Sequence, residues 1–240
     1  MSTEKELCFY MAHVYDHTDQ HQETIDLIKK AVDLDPKLSV NERNLLASAY
    51  KNLISNHRNG LRTLDAISNH DDGNLTESRK NQIIEIQKKI SLELEEKCYE
   101  LIKMVEEKLL PAAQDEDFKL FYEKLRGDYY RYICETLTGE EQVKVAQKAK
   151  EAYDSALEIA MDHFAIYDPH RLSTVLNYSI FLFEVMNQKE EAIDFAKNAY
   201  HQALSLIDEN TDDNYSDATM ILQMMNENIN KWSEIVSQYK

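Results

Sequence analysis

"SVNERNLLASAYKNLISNHRNGLRTLD", residues 39–65, reads as one long helix. Ser39 followed three residues later by Glu42 is a capping box, in which each side chain serves the other's backbone N–H. Leu46, Ala49, Leu53 and Ile54 then recur at three- and four-residue spacing, and Leu61 and Leu64 continue the stripe. That is the period of a helix with one apolar face. The same stretch sets Lys51 and Arg58 seven residues apart, and seven steps of about 100° return the chain to nearly the same face.

The rest of the chain has the same character. Its 240 residues include 4 glycines and 3 prolines, where average usage gives roughly 17 and 12, so the turn chemistry of β-sandwiches and α/β folds is missing. Interruptions occur at Thr18–Gln20 and at "DLDPKLS", "SNHDDGNLT", "LLPAAQDED", "LTGEEQ", "AIYDPHR", "MNQKE" and "DENTDDN". They leave nine helices in an all-α fold, mostly antiparallel neighbours because the connections are short. Thr76 to about Leu110 carries no breaker and predicts one long helix. Phe118, Phe121, Tyr122, Leu125 and Tyr129 form the stripe of the fifth helix. Ala149, Tyr153 and Ala156 share their spacing with Ala196, Tyr200 and Ala203, a small–large–small pattern suited to closely packed helix pairs. It resembles part of a tetratricopeptide motif without that motif's repeat length.

Acids outnumber bases 44 to 27, for a net charge of −17. This argues against non-specific binding of nucleic acid or anionic membranes, and any anion-binding surface must be a local cationic patch. The most apolar run, "YSIFLFEVM", is too short to span a bilayer. Cys8, Cys98 and Cys134 form no CxxC and no even set, which fits reduced thiols in the cytosol or nucleus. No basic–apolar secretory signal precedes the first helix. His13, His17 and His21 have a metal-ligand spacing, but exposed histidines beside a turn are the expectation. No Gly-rich phosphate loop, HExxH or G-x-S-x-G is present, and Cys134 reads as a packing residue. Neither an enzyme nor a cofactor is expected.

Within "GDYYRYICE", residues 127–135, Lys124 and Arg131 repeat the seven-residue spacing of Lys51 and Arg58. Asp128 three before Arg131 and Glu135 four after are both within reach of its guanidinium. They are expected to hold it extended, with the Tyr132 hydroxyl beside it. Asn177 in the middle of an apolar helix and Asn228 between Met224 and Trp232 each offer a carboxamide donor and acceptor, enough to pair with an extended peptide.

"ERNLLASAYKN" (42–52), "FYEKLRGDYYRY" (121–132), "HRLSTVLNYSIFLFE" (170–184), "EAIDFAKNAYHQAL" (191–204) and "YSDATMILQMMNENINKW" (215–232) resemble, in order and spacing, the 14-3-3 family of phosphoserine/phosphothreonine-binding adaptors. The resemblance covers nearly the whole chain as a single domain. It implies nine antiparallel helices in a cup-shaped, L-shaped protomer with an amphipathic groove, paired as a homodimer through residues 1–35. It assigns phosphate binding to Lys51, Arg58, Arg131 and Tyr132, and the ligand main chain to Asn177 and Asn228. Lys124, Leu176, Ile180, Glu184, Met224, Lys231 and Trp232 belong to the groove. Phosphorylated client proteins are the implied partners, in the cytoplasm or nucleus. The runner-up is a tetratricopeptide-like scaffold that binds peptides without phosphate, or an adaptor that has lost phosphopeptide binding.

Departures from the family pattern mark a divergent member. Lys231 stands where the groove normally has an apolar residue. Gly60 replaces a serine whose phosphorylation disrupts the family dimer. Residues 233–240 are a short remnant instead of an acidic tail. At the expected dimer interface Lys89 can pair with a partner's Glu23. Gln20 occupies the place of an arginine that meets the acid corresponding to Glu93, so one interchain salt bridge is expected to be lost.

Overall fold

Side chains set four of the helix starts. The Thr3 backbone N–H donates to the Glu6 carboxylate at 2.7 Å, and the Glu6 N–H returns a bond to the Thr3 hydroxyl at 3.2 Å. Ser39 and Glu42 form the expected box, with bonds of 2.7 and 3.4 Å. Asp115 accepts from the Phe118 N–H and Asp168 from the His170 N–H, and Pro169 follows Asp168 at the first helical position, where its missing N–H costs nothing. These caps satisfy orphan donors that burial would otherwise penalise.

A computed structural model describes residues 3–69, 76–207 and 215–238. Among the described residues there are nine α-helices and no strand, as the low glycine and proline content requires. The breaks expected at "SNHDDGNLT" and "DENTDDN" fall mainly on residues 70–75 and 208–214, outside the described residues. The chain divides into two compact units, Met1–Ala113 and Gln114–Lys240.

The first unit contains α1 (Glu4–Asp16), α2 (His21–Leu34), α3 (Val40–Asn69) and α4 (Glu77–Met104). The long segment expected from Thr76 is continuous, but its end widens into a π-helical turn at Val105–Leu109. There the Leu110 N–H reaches back five residues to the Val105 carbonyl at 2.9 Å. Pro111 follows and cannot continue the ladder. Leu46, Ala49 and Ile54 of the α3 stripe are buried, whereas Leu53, Leu61 and Leu64 are half-buried. Glu100 ties three helices together by accepting from Tyr50 of α3 at 2.7 Å and Lys29 of α2 at 2.6 Å. Burial works against its charge, but these two bonds outweigh the penalty and hold the carboxyl below the usual range.

The second unit contains α5 (Glu116–Cys134), α6 (Gly139–His163), α7 (Pro169–Glu184), α8 (Lys189–Ile207) and α9 (Tyr215–Ser237). Buried Ala149, Ala152, Ala156 and Ala160 keep one face of α6 small. Gly127 lets α5 approach it closely, for a Cβ there would stand 2.9–3.0 Å from three ring carbons of Tyr153. Trp232 of α9 stacks on Phe183 of α7 with ring centroids 4.6 Å apart and planes 11° apart.

Helix propensity alone favours alanine over glycine by about 1 kcal/mol in a helix interior. Gly127→Ala is nevertheless expected to destabilise the protein by about 1–3 kcal/mol, because the added methyl overpacks against Tyr153. A lower urea midpoint with unchanged slope is the expected result.

Candidate functional site

Helical spacing places Lys124, Asp128 and Arg131 along one side of α5, and a single carboxylate organises them. Lys124 Nζ lies 3.2 Å from Asp128 Oδ2, and Arg131 Nη2 lies 3.5 Å from Asp128 Oδ1. From α6 the Tyr153 hydroxyl donates to Asp128 Oδ1 at 2.5 Å and accepts from Arg131 Nε at 3.2 Å. From α7 the Asn177 amide nitrogen donates to both Asp128 oxygens at 2.9 Å. The Arg131 guanidinium also sits over the Tyr132 ring, 4.7 Å from its centroid, a cation–π contact.

The electrostatics follow from this geometry. Burial disfavours a charged Asp128, but Lys124, Arg131 and the Tyr153 hydroxyl outweigh it, and the carboxyl titrates below the ordinary aspartate range. One ionised acid therefore stands against two cations. Arg131 is only 5% exposed, and two of its five N–H groups are taken by Tyr153 and Asp128. Because an ionised carboxylate only accepts, the Asn177 amide nitrogen must face Asp128, and its carbonyl oxygen is the end left for another N–H donor.

Arg131 was expected between Asp128 and Glu135. Its second partner is instead Tyr153, and Glu135 is an exposed residue at the C-cap of α5. Tyr153 was legible only as a packing residue. The signal that could have singled it out is Gly127, an otherwise costly glycine in mid-helix whose place is explained by a ring lying against the backbone.

The other expected groove residues of the second unit divide by burial. Leu176 and Trp232 are 4% exposed, Ile180 and Asn228 are half-buried, and Glu184, Met224 and Lys231 are exposed. In the first unit Lys51 is exposed and Arg58 half-buried on α3. Of the expected interface residues, Gln20 is the N-cap of α2 and donates to the Thr18 hydroxyl at 2.9 Å, and Glu23 is exposed. Lys89 lies 3.9 Å from Glu93 and His57 lies 3.5 Å from the same carboxylate. Glu93 therefore has a lysine and a histidine beside it within its own chain.

The family model described as "14-3-3 protein" matches residues 11–233. The chain belongs to the 14-3-3 family. It is 33% identical over 237 residues to 14-3-3 protein 8 of Solanum lycopersicum, covering 99% of this chain and 91% of that one. It is 35% identical to the checkpoint signal transducer rad25 of Schizosaccharomyces pombe, covering 97% and 86%. Identity to 14-3-3 protein 3 of Entamoeba histolytica is 33%, covering 97% of each.

Membership in the 14-3-3 family supports, in general terms, a phosphopeptide-binding adaptor that engages client proteins and forms dimers. Members are adaptors rather than enzymes. Among the described residues no helix is long and apolar enough to cross a membrane, and no group of three His, Cys, Asp or Glu side chains could hold a metal ion. The Cys134 thiol is pushed up to about 12 by burial, with Glu135 adding to the shift and Arg131 opposing it. It is thus a protonated packing group at neutral pH rather than a thiolate nucleophile.

Asp128→Asn is expected to cost about 3–5 kcal/mol at pH 7, since it leaves two cations without their acid. The folded-state pKa of Asp128 is depressed, so its contribution is complete above the ordinary value of about 3.9 and is lost as pH falls through the lower folded value. Urea unfolding across pH 7 to 2.5 should show the gap between wild type and variant closing only below about pH 4.

Proposed function

We propose that this protein is a phosphoserine/phosphothreonine-dependent adaptor that binds phosphorylated segments of client proteins and regulates their activity, localisation or assembly. The observation that carries the proposal is the guanidinium of Arg131, fixed on one side by Asp128 and Tyr153, with Lys124 sharing the same acid. A phosphoserine brings about −1.5 to −2 charges and three strong acceptor oxygens. An arginine fork supplies paired, charge-assisted donors, and pre-ordering by Asp128 and Tyr153 spares part of the entropy of holding it. In a chain of net charge −17, such a patch admits one phosphorylated side chain while polyanions are repelled at longer range.

Asn177 is suited to the ligand's main chain, because its amide nitrogen is committed to Asp128 and its carbonyl oxygen remains for a peptide N–H. Asn228 on α9 is assigned to the same task, and Lys51, Arg58 and Tyr132 to the phosphate, by family resemblance. The protein works in the cytoplasm or nucleus on this proposal, where its three buried thiols stay reduced. A second copy of the chain is the partner for the apolar face of α1. There Leu7, Tyr10 and Val14, spaced i, i+3, i+7, are 56%, 67% and 42% exposed, more than a lone helix leaves uncovered without purpose.

Fluorescence polarisation with one serine peptide, phosphorylated and unphosphorylated, tests the adaptor function. Binding of the phosphorylated form alone is expected. Arg131→Ala should abolish it in a protein that keeps its helical circular dichroism, and Arg131→Lys should weaken it at least tenfold because a point charge replaces the fork. Equal binding of the two peptides would favour a scaffold that ignores phosphate. For the dimer, the double variant Leu7→Asp/Tyr10→Asp is expected to sediment as a monomer with its helix content intact.

A further inference from the structure

We infer that Lys231 selects client segments carrying a carboxylate close to the phosphorylated residue. This rests on the phosphopeptide-binding function proposed above and adds a chemical preference to it. Four residues share the outward ridge of α9: Met220, Met224, Glu227 and Lys231, at spacings of four, three and four. All four are exposed, Met220 by 62% and Met224 by 48%. The opposite side of the helix is buried through Ala218, Leu222, Met225, Ile229 and Trp232.

Lys231 is the one cation among these four, and among the described residues its charge has no partner. Glu227 sits four residues before it, the favourable order for a helical ion pair. Yet Glu227 accepts instead from the Gln223 amide at 2.9 Å. Among the described residues, neither Glu227 nor Glu234 is paired with Lys231, although other i,i+4 pairs such as Lys150–Asp154 close at 2.8 Å. An ammonium group free in an acidic protein is an open site for an external anion.

Position then says which anion. Lys231 lies three residues, under one helical turn, from Asn228, the carboxamide assigned to the ligand's main chain. An extended peptide advances about 3.3 Å per residue, so a lysine stem reaches only side chains two or three residues from the point that Asn228 grips. A carboxylate there meets the ammonium, whereas an arginine or lysine is repelled. Met220 and Met224 present flexible thioether surface along the same ridge, which tolerates varied apolar neighbours.

A positional scan of one phosphoserine peptide tests this, with alanine, glutamate or lysine at each flanking position within three residues of the phosphate. In wild type, glutamate at one or two adjacent positions should raise affinity about 2- to 5-fold over alanine, as for an exposed ion pair, and the gain should vanish at high salt. Lys231→Leu should remove the gain, so that within this variant the glutamate-flanked and alanine-flanked phosphopeptides bind alike. Lys231→Glu should turn the preference to lysine at the same positions. A wild-type scan without acidic preference, or one that survives Lys231→Leu, overturns the inference and leaves the adaptor function standing. Failure of every phosphopeptide on folded wild-type protein overturns both.

Discussion

The second unit depends on one carboxylate. Asp128 is buried, and an isolated charge in that position would be unsustainable. It persists because Lys124, Arg131, Tyr153 and Asn177 converge on it from three helices. The dependence is mutual, since Arg131 can be kept at 5% exposure only beside an ionised partner. A buried polar cluster of this kind is high-stakes. It fixes the relative register of α5, α6 and α7, and it presets one guanidinium and one carboxamide before any ligand arrives. Gly127 belongs to the same device, because without its bare backbone the Tyr153 ring could not lie where its hydroxyl meets both Asp128 and Arg131.

Much of this architecture is legible in the amino-acid order because its determinants are local. The Ser39–Glu42 box, the unbroken run from Thr76 and the apolar stripes of α3 and α5 are all short-range signals, and each corresponds to an element of the described chain. The seven-residue spacing of Lys124 and Arg131 likewise points to a shared face. What cannot be read this way is determined by contacts between helices. Asp128 and Glu135 are both within about one helical turn of Arg131, but only Asp128 faces Tyr153 and Asn177. Tyr153 and Tyr200 occupy matching places in the same small–large–small pattern, yet Tyr153 is fully buried in the polar cluster and Tyr200 is half-buried against His201. Periodicity identifies an apolar residue without saying which neighbour it meets. Leu176 and Met224 were both expected to line a groove, and one is 4% exposed while the other is 48%.

The first unit distributes its burial unevenly. Glu100 gathers Lys29 and Tyr50 about the middle of the helix packing. Past Ile54 no residue of α3 is buried, and none of α4 before Leu94. These distal turns resemble a helix pair awaiting cover, and their exposed Ile84 and Leu92 fit the dimerisation proposed from α1. The intrachain neighbours of Glu93 bear on the same point. With His57 and Lys89 beside it, that acid is not stranded within its own chain.

The stacked pair of Phe183 and Trp232 has a practical corollary. The chain contains a single tryptophan, and its indole is clamped at the joint between α7 and α9, adjoining Lys231 and one turn from Asn228. The protein therefore carries a built-in optical reporter, with all indole emission coming from that joint. Its spectrum follows the seating of the last helix, not the average state of the molecule, and a change in colour without a change in helicity would mean that α9 had shifted while the rest of the fold stood still.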